Sequence, residues 1–303
     1  MLASPLLVSV MRQIFLTISA LALACLGWSA TPAQAEPIAI VAAENFYGDV
    51  VRQIGGPNVA VTSILSNPDQ DPHLFEAGAS TAREIAAARI VIYNGADYDP
   101  WMVKLLTGLH DASPEIVEAA KLMGRKPGDN PHLWYDPHTM PVVAETVTAL
   151  LIKLDPDHRA NYEANLSAFE TSLDPLHAKI AALRQAYGGT PITATEPIFD
   201  YMAQAIGLIV KNKGFQLAVM NGAEPSASQI AAIQDDLKNR SVRVLIYNTQ
   251  TVEALTTRLQ ALAKQSGIPV IGVSETEPPG QRYQDWMLAQ LTALEAALGG
   301  AQK

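Results

Sequence analysis

Two histidines recur in nearly the same setting. DQDPHLFE at 69–76 and DNPHLWYD at 129–136 share a Pro-His-Leu core, in a chain of 303 residues with only six His. Pro72 and Pro131 fix their own φ and restrict the residue ahead of them, so His73 and His132 are approached by stiff backbone. Imidazoles on rigid loops suit a metal site, because ordering floppy ligands costs affinity. Spacing decides no further. The two His are far apart, no H-x-x-H or H-E-x-x-H motif is present, and hydrogen-bonded or surface His remain the alternative. Carboxylates could complete a site. Glu196 follows the apolar run 191–195 and precedes Pro197; Glu275 follows the run 268–273 in VSETEPPGQ. For Glu196 the alternative is a helix-start acid favoured by the macrodipole. Glu277 fits a solvated loop. Glu44 reads as a rim acid of the same cleft, because it holds the position in AENFYGDVVRQIG (43–55) that Glu196 holds in ATEPIFDYMAQAIG (194–207). His138 reads as a capping or surface residue, and His110, His158 and His177 as solvated. Trp101 and Trp134 read as packing.

These side chains need a frame, and the apolar pattern supplies one. Runs at 38–42, 59–65 and 89–93 alternate with a helical pattern through Val50, Val51 and Ile54, closed by Gly55-Gly56, and another at 81–88. Such alternation implies a parallel sheet covered by helices, with ligands gathered at the loops after the strands. The second half repeats the scheme. ARIVIYNG at 88–95 is echoed by VRVLIYNT at 242–249, and the 43–55 match falls in the same order at nearly the same spacing. Two matches in order predict two lobes of similar build. Between them, residues 157–187 place Tyr162, Leu166, Phe169, Leu173, Leu176, Ile180 and Leu183 at helical steps. Asp155-Pro156 opens this stretch and Gly188-Gly189 closes it. At about 1.5 Å per residue it would span roughly 45 Å, with Pro175 expected to kink it or cost a hydrogen bond. The expected class is α/β, two similar parallel-sheet lobes joined by one long α-helix. The expected division is a signal peptide at 1–35, an N-terminal lobe at 36–156, the linking helix at 157–187 and a C-terminal lobe at 188–303.

The signal peptide rests on Arg12, the short apolar run 14–26 and Ala33-Gln34-Ala35. It predicts a soluble protein of the periplasm. The single cysteine, Cys25, falls inside the signal, so the mature chain has no thiolate to offer. Lipidation of Cys25 is the rival, against which Ala22-Leu23-Ala24 makes a poor lipobox. A net charge of −9 leaves no basic stripe for phosphates and argues against a nucleic-acid partner.

The same residues carry a family likeness. DPHLFE (71–76), RIVIYNGADYDPWM (89–102), NPHLWYDP (130–137), EPSASQI (224–230) and PVIGVSETEPPGQRYQDWM (269–287) resemble the zinc/manganese solute receptors of bacterial ABC importers, over essentially the whole mature chain. The resemblance implies two α/β lobes bridged by a long helix with the metal between them. It implies nitrogen ligands from His73 and His132, and carboxylates from Glu196, where a third His is commoner, and from Glu275, where Asp is usual. It implies a cognate ABC permease as partner, a monomer, and no covalent chemistry. The metal is transported ligand rather than resident cofactor.

Two imidazoles and two carboxylates would neutralise a divalent ion and suit zinc, manganese and ferrous iron. Zinc accepts four such ligands tetrahedrally, whereas bidentate carboxylates would favour manganese. Zinc and manganese are therefore the expected cargo, with iron third. A metallohydrolase needs an open coordination position and a nearby base; a metal-stabilised adhesin is the other rival.

Overall fold

The structure, a computed structural model, describes residues 36–70, 72–109, 113–251 and 253–300. The signal-peptide expectation, Cys25 and His110 fall outside these residues. Residues 37–303 form one unit containing two four-stranded sheets. Among the described residues no helix is long and apolar enough to cross a membrane.

The first sheet comprises β1 (Ile38–Glu44), β2 (Val59–Leu65), β3 (Ile90–Tyr93) and β4 (Glu115–Glu118) in the order β2-β1-β3-β4. The second comprises β5 (Pro191–Ala194), β6 (Ile209–Lys211), β7 (Leu245–Asn248) and β8 (Val270–Val273) in the order β6-β5-β7-β8. All pairings are parallel, with Ile38 opposite Val59 in the first sheet and Leu245 opposite Val270 in the second. The two orders are the same, as the sequence repeat predicts. β3 is buried along its whole length, which is why it reads as a continuous apolar run rather than an alternating one.

Helices cover both sheets. α1 (Asn45–Gly55) buries Phe46, Tyr47, Val50, Val51 and Ile54. α2 (Ala79–Ala87), α3 (Pro100–Thr107), α4 (Ala119–Leu122) and α5 (Thr139–Leu154) complete the first half. The linking stretch is helical as expected, and it is interrupted next to Pro175. A 3-10 turn at Pro156–His158 leads into α6 (Arg159–Ser172), and α7 (Asp174–Tyr187) begins only after a break at Leu173. Pro175 causes the break: it has no N–H to donate, and its ring excludes the carbonyl four residues back. It sits instead in the first turn of α7, where that N–H has no helical partner anyway. Tyr162, Phe169, Leu173, Leu176, Ile180 and Leu183 are buried along both segments, so the apolar face continues through the break.

The second half adds α8 (Asp200–Ile206), α9 (Lys213–Met220), α10 (Ala227–Lys238), α11 (Ala254–Gln265) and α12 (Tyr283–Gly300). One apolar core joins Ile40, Ile92 and Trp134 of the first half to Ala194, Ile246 and Trp286 of the second. Polar ties cross the same seam. Tyr283 Oη donates to the Trp134 carbonyl at 2.7 Å, and Tyr135 Oη donates to the Ser274 carbonyl at 2.8 Å. The Asn45 side chain makes both available bonds to the Glu277 backbone, donating to its carbonyl at 2.7 Å and accepting from its N–H at 3.0 Å. The lobes share a packed interior, which fixes the loops at their facing edges.

Candidate metal centre

Parallel strands collect their outgoing loops at one edge, and the loops of both sheets meet there. His73 lies in a 3-10 turn, Pro72–Leu74, after β2. His132 precedes the turn Leu133–Tyr135, whose three side chains are buried. Glu275 follows β8 by two residues and Glu196 follows β5 by two. His73 Nε2 is 3.4 Å from Glu275 Oε2, and His132 Nε2 is 4.0 Å from the same oxygen. Among the described residues, His73, His132 and Glu275 form one group whose ligand atoms all lie within 4.8 Å of one another. A tetrahedron with bonds of about 2.1 Å has edges of about 3.4 Å, so the three atoms need only small shifts to share an ion.

Glu196 stands just outside this group. Its Oε2 accepts from Asn248 Nδ2 at 2.9 Å, and the same amide donates to Glu275 Oε1. The two carboxylates are therefore held by one nitrogen. Glu196 is buried, yet it lines a cleft of about 580 Å³ together with His73, Gln250 and Thr251. Burial and the charge of Glu275 push its pKa up to about 7, against the opposing hydrogen bond from Asn248.

The buried His132 has a defined tautomer. Asn130 Nδ2 donates to the Pro197 carbonyl at 2.7 Å, which leaves Asn130 Oδ1 as an acceptor. That oxygen receives the His132 backbone N–H at 3.1 Å and faces His132 Nδ1 at 2.7 Å. The ring proton must therefore be on Nδ1. His132 Nε2 is buried with no hydrogen-bond partner. Burial, then the neighbouring His73, lowers the pKa of His132 well below the ordinary imidazole value. A neutral ring with a buried lone pair and a fixed back-side hydrogen bond is how proteins present histidine to a metal.

Glu275 is oriented from three sides. Tyr98 Oη donates to its Oε2 at 2.8 Å. Asn248 holds Oε1, and the Gln250 side-chain carbonyl accepts its backbone N–H at 2.6 Å. Gln250 also donates to the Gln70 carbonyl at 2.8 Å, tying the Glu275 loop to the His73 loop. The Tyr98 phenol stays protonated, because burial and then the Glu275 charge raise its pKa well above the ordinary value. The turn that carries Tyr98 has three consecutive residues at positive φ: Gly95 at 77°, Ala96 at 51° and Asp97 at 65°. At Gly95 a Cβ would sit 2.8 Å from Glu118 Oε1, so both conformation and space require glycine there.

Two acids depart from expectation. Glu44 is not at the rim. It has no exposed surface and lies beside Asp99, beneath the turn. Glu277 is not solvated: it is 5% exposed and faces a separate cavity with Asn45, Asp49 and Arg52. His138 is exposed and pairs with Asp136, while His158 pairs with Asp155. Trp134 is packing, stacked on Phe46, but it also backs His132 with ring centroids 5.3 Å apart. Sequence reasoning missed Tyr98, Asn130, Asn248 and Gln250. One signal was present: Asn94 and Asn248 occupy the same place in the repeated strands, and each crosslinks loops at its sheet edge, Asn94 through the Pro131 carbonyl at 2.8 Å.

Two lobes of one strand order, with nitrogen and carboxylate groups converging between them, have the build of a two-lobed solute-binding protein. The chain belongs to the family described as zinc-uptake complex component A, periplasmic, whose sequence model matches residues 40–297. It is similar to the manganese ABC transporter substrate-binding lipoprotein PsaA of Streptococcus pneumoniae, 23% identical over 82% of this chain and 83% of that one. It is also similar to the iron ABC transporter substrate-binding lipoprotein MtsA of Streptococcus pyogenes, 23% identical over 92% of this chain and 94% of that one. Its fold matches the periplasmic zinc binding protein TroA from Treponema pallidum with a TM-score of 0.73, at 20% identity, over 87% of this chain and 99% of that one.

Proposed function

We propose that this chain is an extracytoplasmic receptor that captures a divalent transition-metal ion between its lobes and delivers it to an ABC permease. The observation that carries the reading is the convergence of His73 Nε2, the unpartnered His132 Nε2 and Glu275 Oε2 on one point. Family membership and relatives named for manganese and iron transport support the same reading. His73 and His132 supply borderline nitrogens and Glu275 an anionic oxygen. Glu196 completes the set by releasing its oxygen from Asn248 and moving towards the ion. Nitrogen and carboxylate ligands fit zinc, manganese and ferrous iron alike. A fully monodentate His2Glu2 set matches zinc, and bidentate carboxylates shift the preference towards manganese. The groups in the cleft bind and orient an ion, which is the work of a binding protein.

Calorimetric titration of the metal-free protein with zinc, manganese and ferrous salts tests this. One-to-one binding of at least one ion, lost in Glu275→Ala, is the expected result. Absence of stoichiometric binding for all three would overturn it.

A further inference from the structure

Glu44 ends β1 at the N-terminal boundary of α1 without capping it, and both of its carboxyl oxygens are buried with no well-formed hydrogen bond. Its neighbour Asp99 is 1% exposed and lies within hydrogen-bonding reach of it. The two acids are not equivalent. Asp99 Oδ2 accepts the Asn94 backbone N–H at 2.6 Å, and Oδ1 accepts the Gly95 N–H at 2.8 Å. Two well-formed amide bonds stabilise a charge on Asp99, whereas neither Glu44 oxygen has a comparable donor, its own backbone N–H acting only weakly against the burial. Two adjacent carboxylates in a buried site cannot both stay ionised at ordinary cost, so the proton goes to the one with the weaker donors. The other titratable groups facing the pair are the phenols of Tyr47 on α1 and of Tyr93 and Tyr98 on β3 and its turn. All three have raised pKa values and stay neutral.

The pair matters because of what Asp99 holds. Its two bonds close the turn in which Gly95, Ala96 and Asp97 take left-handed conformations, a strained run that persists only when its surroundings enforce it. The next residue is Tyr98, whose hydroxyl holds Glu275 Oε2.

We propose that Glu44 is kept as the neutral acid, donates a hydrogen bond to Asp99, and acts through that turn as a positioning residue for Tyr98 and the Glu275 carboxylate. The first part stands on the geometry of the pair, and the last part rests on the metal-receptor reading. The direction of titration agrees: burial, then the Asp99 charge, raises Glu44 well above the ordinary carboxyl range, while Asp99 rises only to about 6.

Two experiments on the full chain separate the parts. The first is an infrared difference spectrum of metal-free wild type minus Glu44→Gln at pH 8. It is expected to contain the C=O stretch of one protonated carboxylic acid; its absence overturns the proposal whether or not metal binds. The second is metal affinity. Glu44→Gln, which keeps a donor to Asp99, should bind zinc or manganese within about threefold of wild type. Glu44→Leu, which removes the donor, should bind about tenfold more weakly, as losses behind a ligand do. Equal affinity in all three, or equal loss in both variants, overturns the positioning role. A wild type that binds no metal would sink the receptor reading and leave the infrared result standing.

Discussion

Asn130 touches no proposed ligand atom, yet the geometry makes affinity depend on it. Its Oδ1 takes the Nδ1 proton of His132 and so directs the Nε2 lone pair into the cleft. In Asn130→Ala the Nδ1–H loses its acceptor in a site with no exposed surface, and an unmatched buried donor costs about 1–3 kcal/mol. The ring can escape by moving its proton to Nε2, which lies 4.0 Å from Glu275 Oε2 and can close on it. The metal must then reverse that move before it can coordinate. Losses behind a metal-bound histidine run about 10–100-fold, or about 1.4–2.7 kcal/mol, which matches the cost of the unmatched donor. Asn130→Asp distinguishes the tautomer from simple loss of packing. It keeps an acceptor for Nδ1 while giving up the amide bond to the Pro197 carbonyl. Competition titration against a chromophoric chelator should place Asn130→Asp within about tenfold of wild type and Asn130→Ala about 10–100-fold weaker. Nitrogen NMR of the His132 ring should show Nδ1 protonated in wild type and Asn130→Asp only. Wild-type affinity in Asn130→Ala, or equal loss in both variants, would refute the tautomer argument.

Other perturbations read other parts of the site. Glu275→Gln removes the charge that faces both imidazoles and should weaken metal binding more than about 100-fold, roughly 2.7 kcal/mol, by calorimetry. Binding within tenfold of wild type would remove Glu275 as the central ligand. Glu196, raised to about 7, must lose a proton to coordinate, so affinity should hold above that pH and fall by up to about tenfold per unit below it. Glu196→Gln should abolish that step, and an unchanged pH profile would exclude Glu196 as the group responsible. Glu277, raised to about 9 by burial and then by Asp49, holds a proton in the folded state over a range where the unfolded chain does not. Its contribution to stability is complete below the ordinary carboxyl pKa of about 4.3. It is lost as pH rises towards 9, at up to about 1.4 kcal/mol per unit. Glu277→Gln should therefore show a flatter fall in melting temperature between pH 6 and 8; an identical slope would mean that Glu277 ionises freely in the folded protein.

How much the sequence revealed follows from what each residue's role depends on. β1, β3 and β5 were readable because strands inside a parallel sheet become apolar runs, and the edge strand β2 because its seven residues are long enough to show β-branched apolar residues. β4, EIVE, and β6, IVK, are short edge strands with polar residues among few apolar ones, and they carry too little pattern to be seen. The helical face over 157–187 was legible, and so was its weak point: the side chains keep their periodicity while Pro175 interrupts the backbone. His73 and His132 stood out by their repeated Pro-His-Leu core and Glu275 by its place after an apolar run, and the structure brings these three together. Asn130, Asn248 and Gln250 did not stand out, since a neutral amide acquires its role only from the partners that folding brings to it. Glu277 was misread because two neighbouring prolines and a glycine suggest an open loop, whereas Asn45 pulls its backbone into the seam.

Glu44 shows the limit of the repeat as a guide. The repeat correctly equates its position with that of Glu196, at the end of the first strand of each sheet. What differs is the loop after the third strand. In the second lobe β7 ends at Asn248, whose neutral amide bridges Glu196 and the buried Glu275 and leaves Glu196 beside the open cleft. In the first lobe β3 leads into the left-handed turn that folds Asp99 back over Glu44 and shuts out solvent. An acid facing a cleft can have its charge balanced by a cation, whereas one sealed against another acid can be balanced only by a proton. The same seat in the same topology thus takes opposite electrostatic solutions. The choice lies in the residues after the third strand, GADYD in one lobe and TQT in the other.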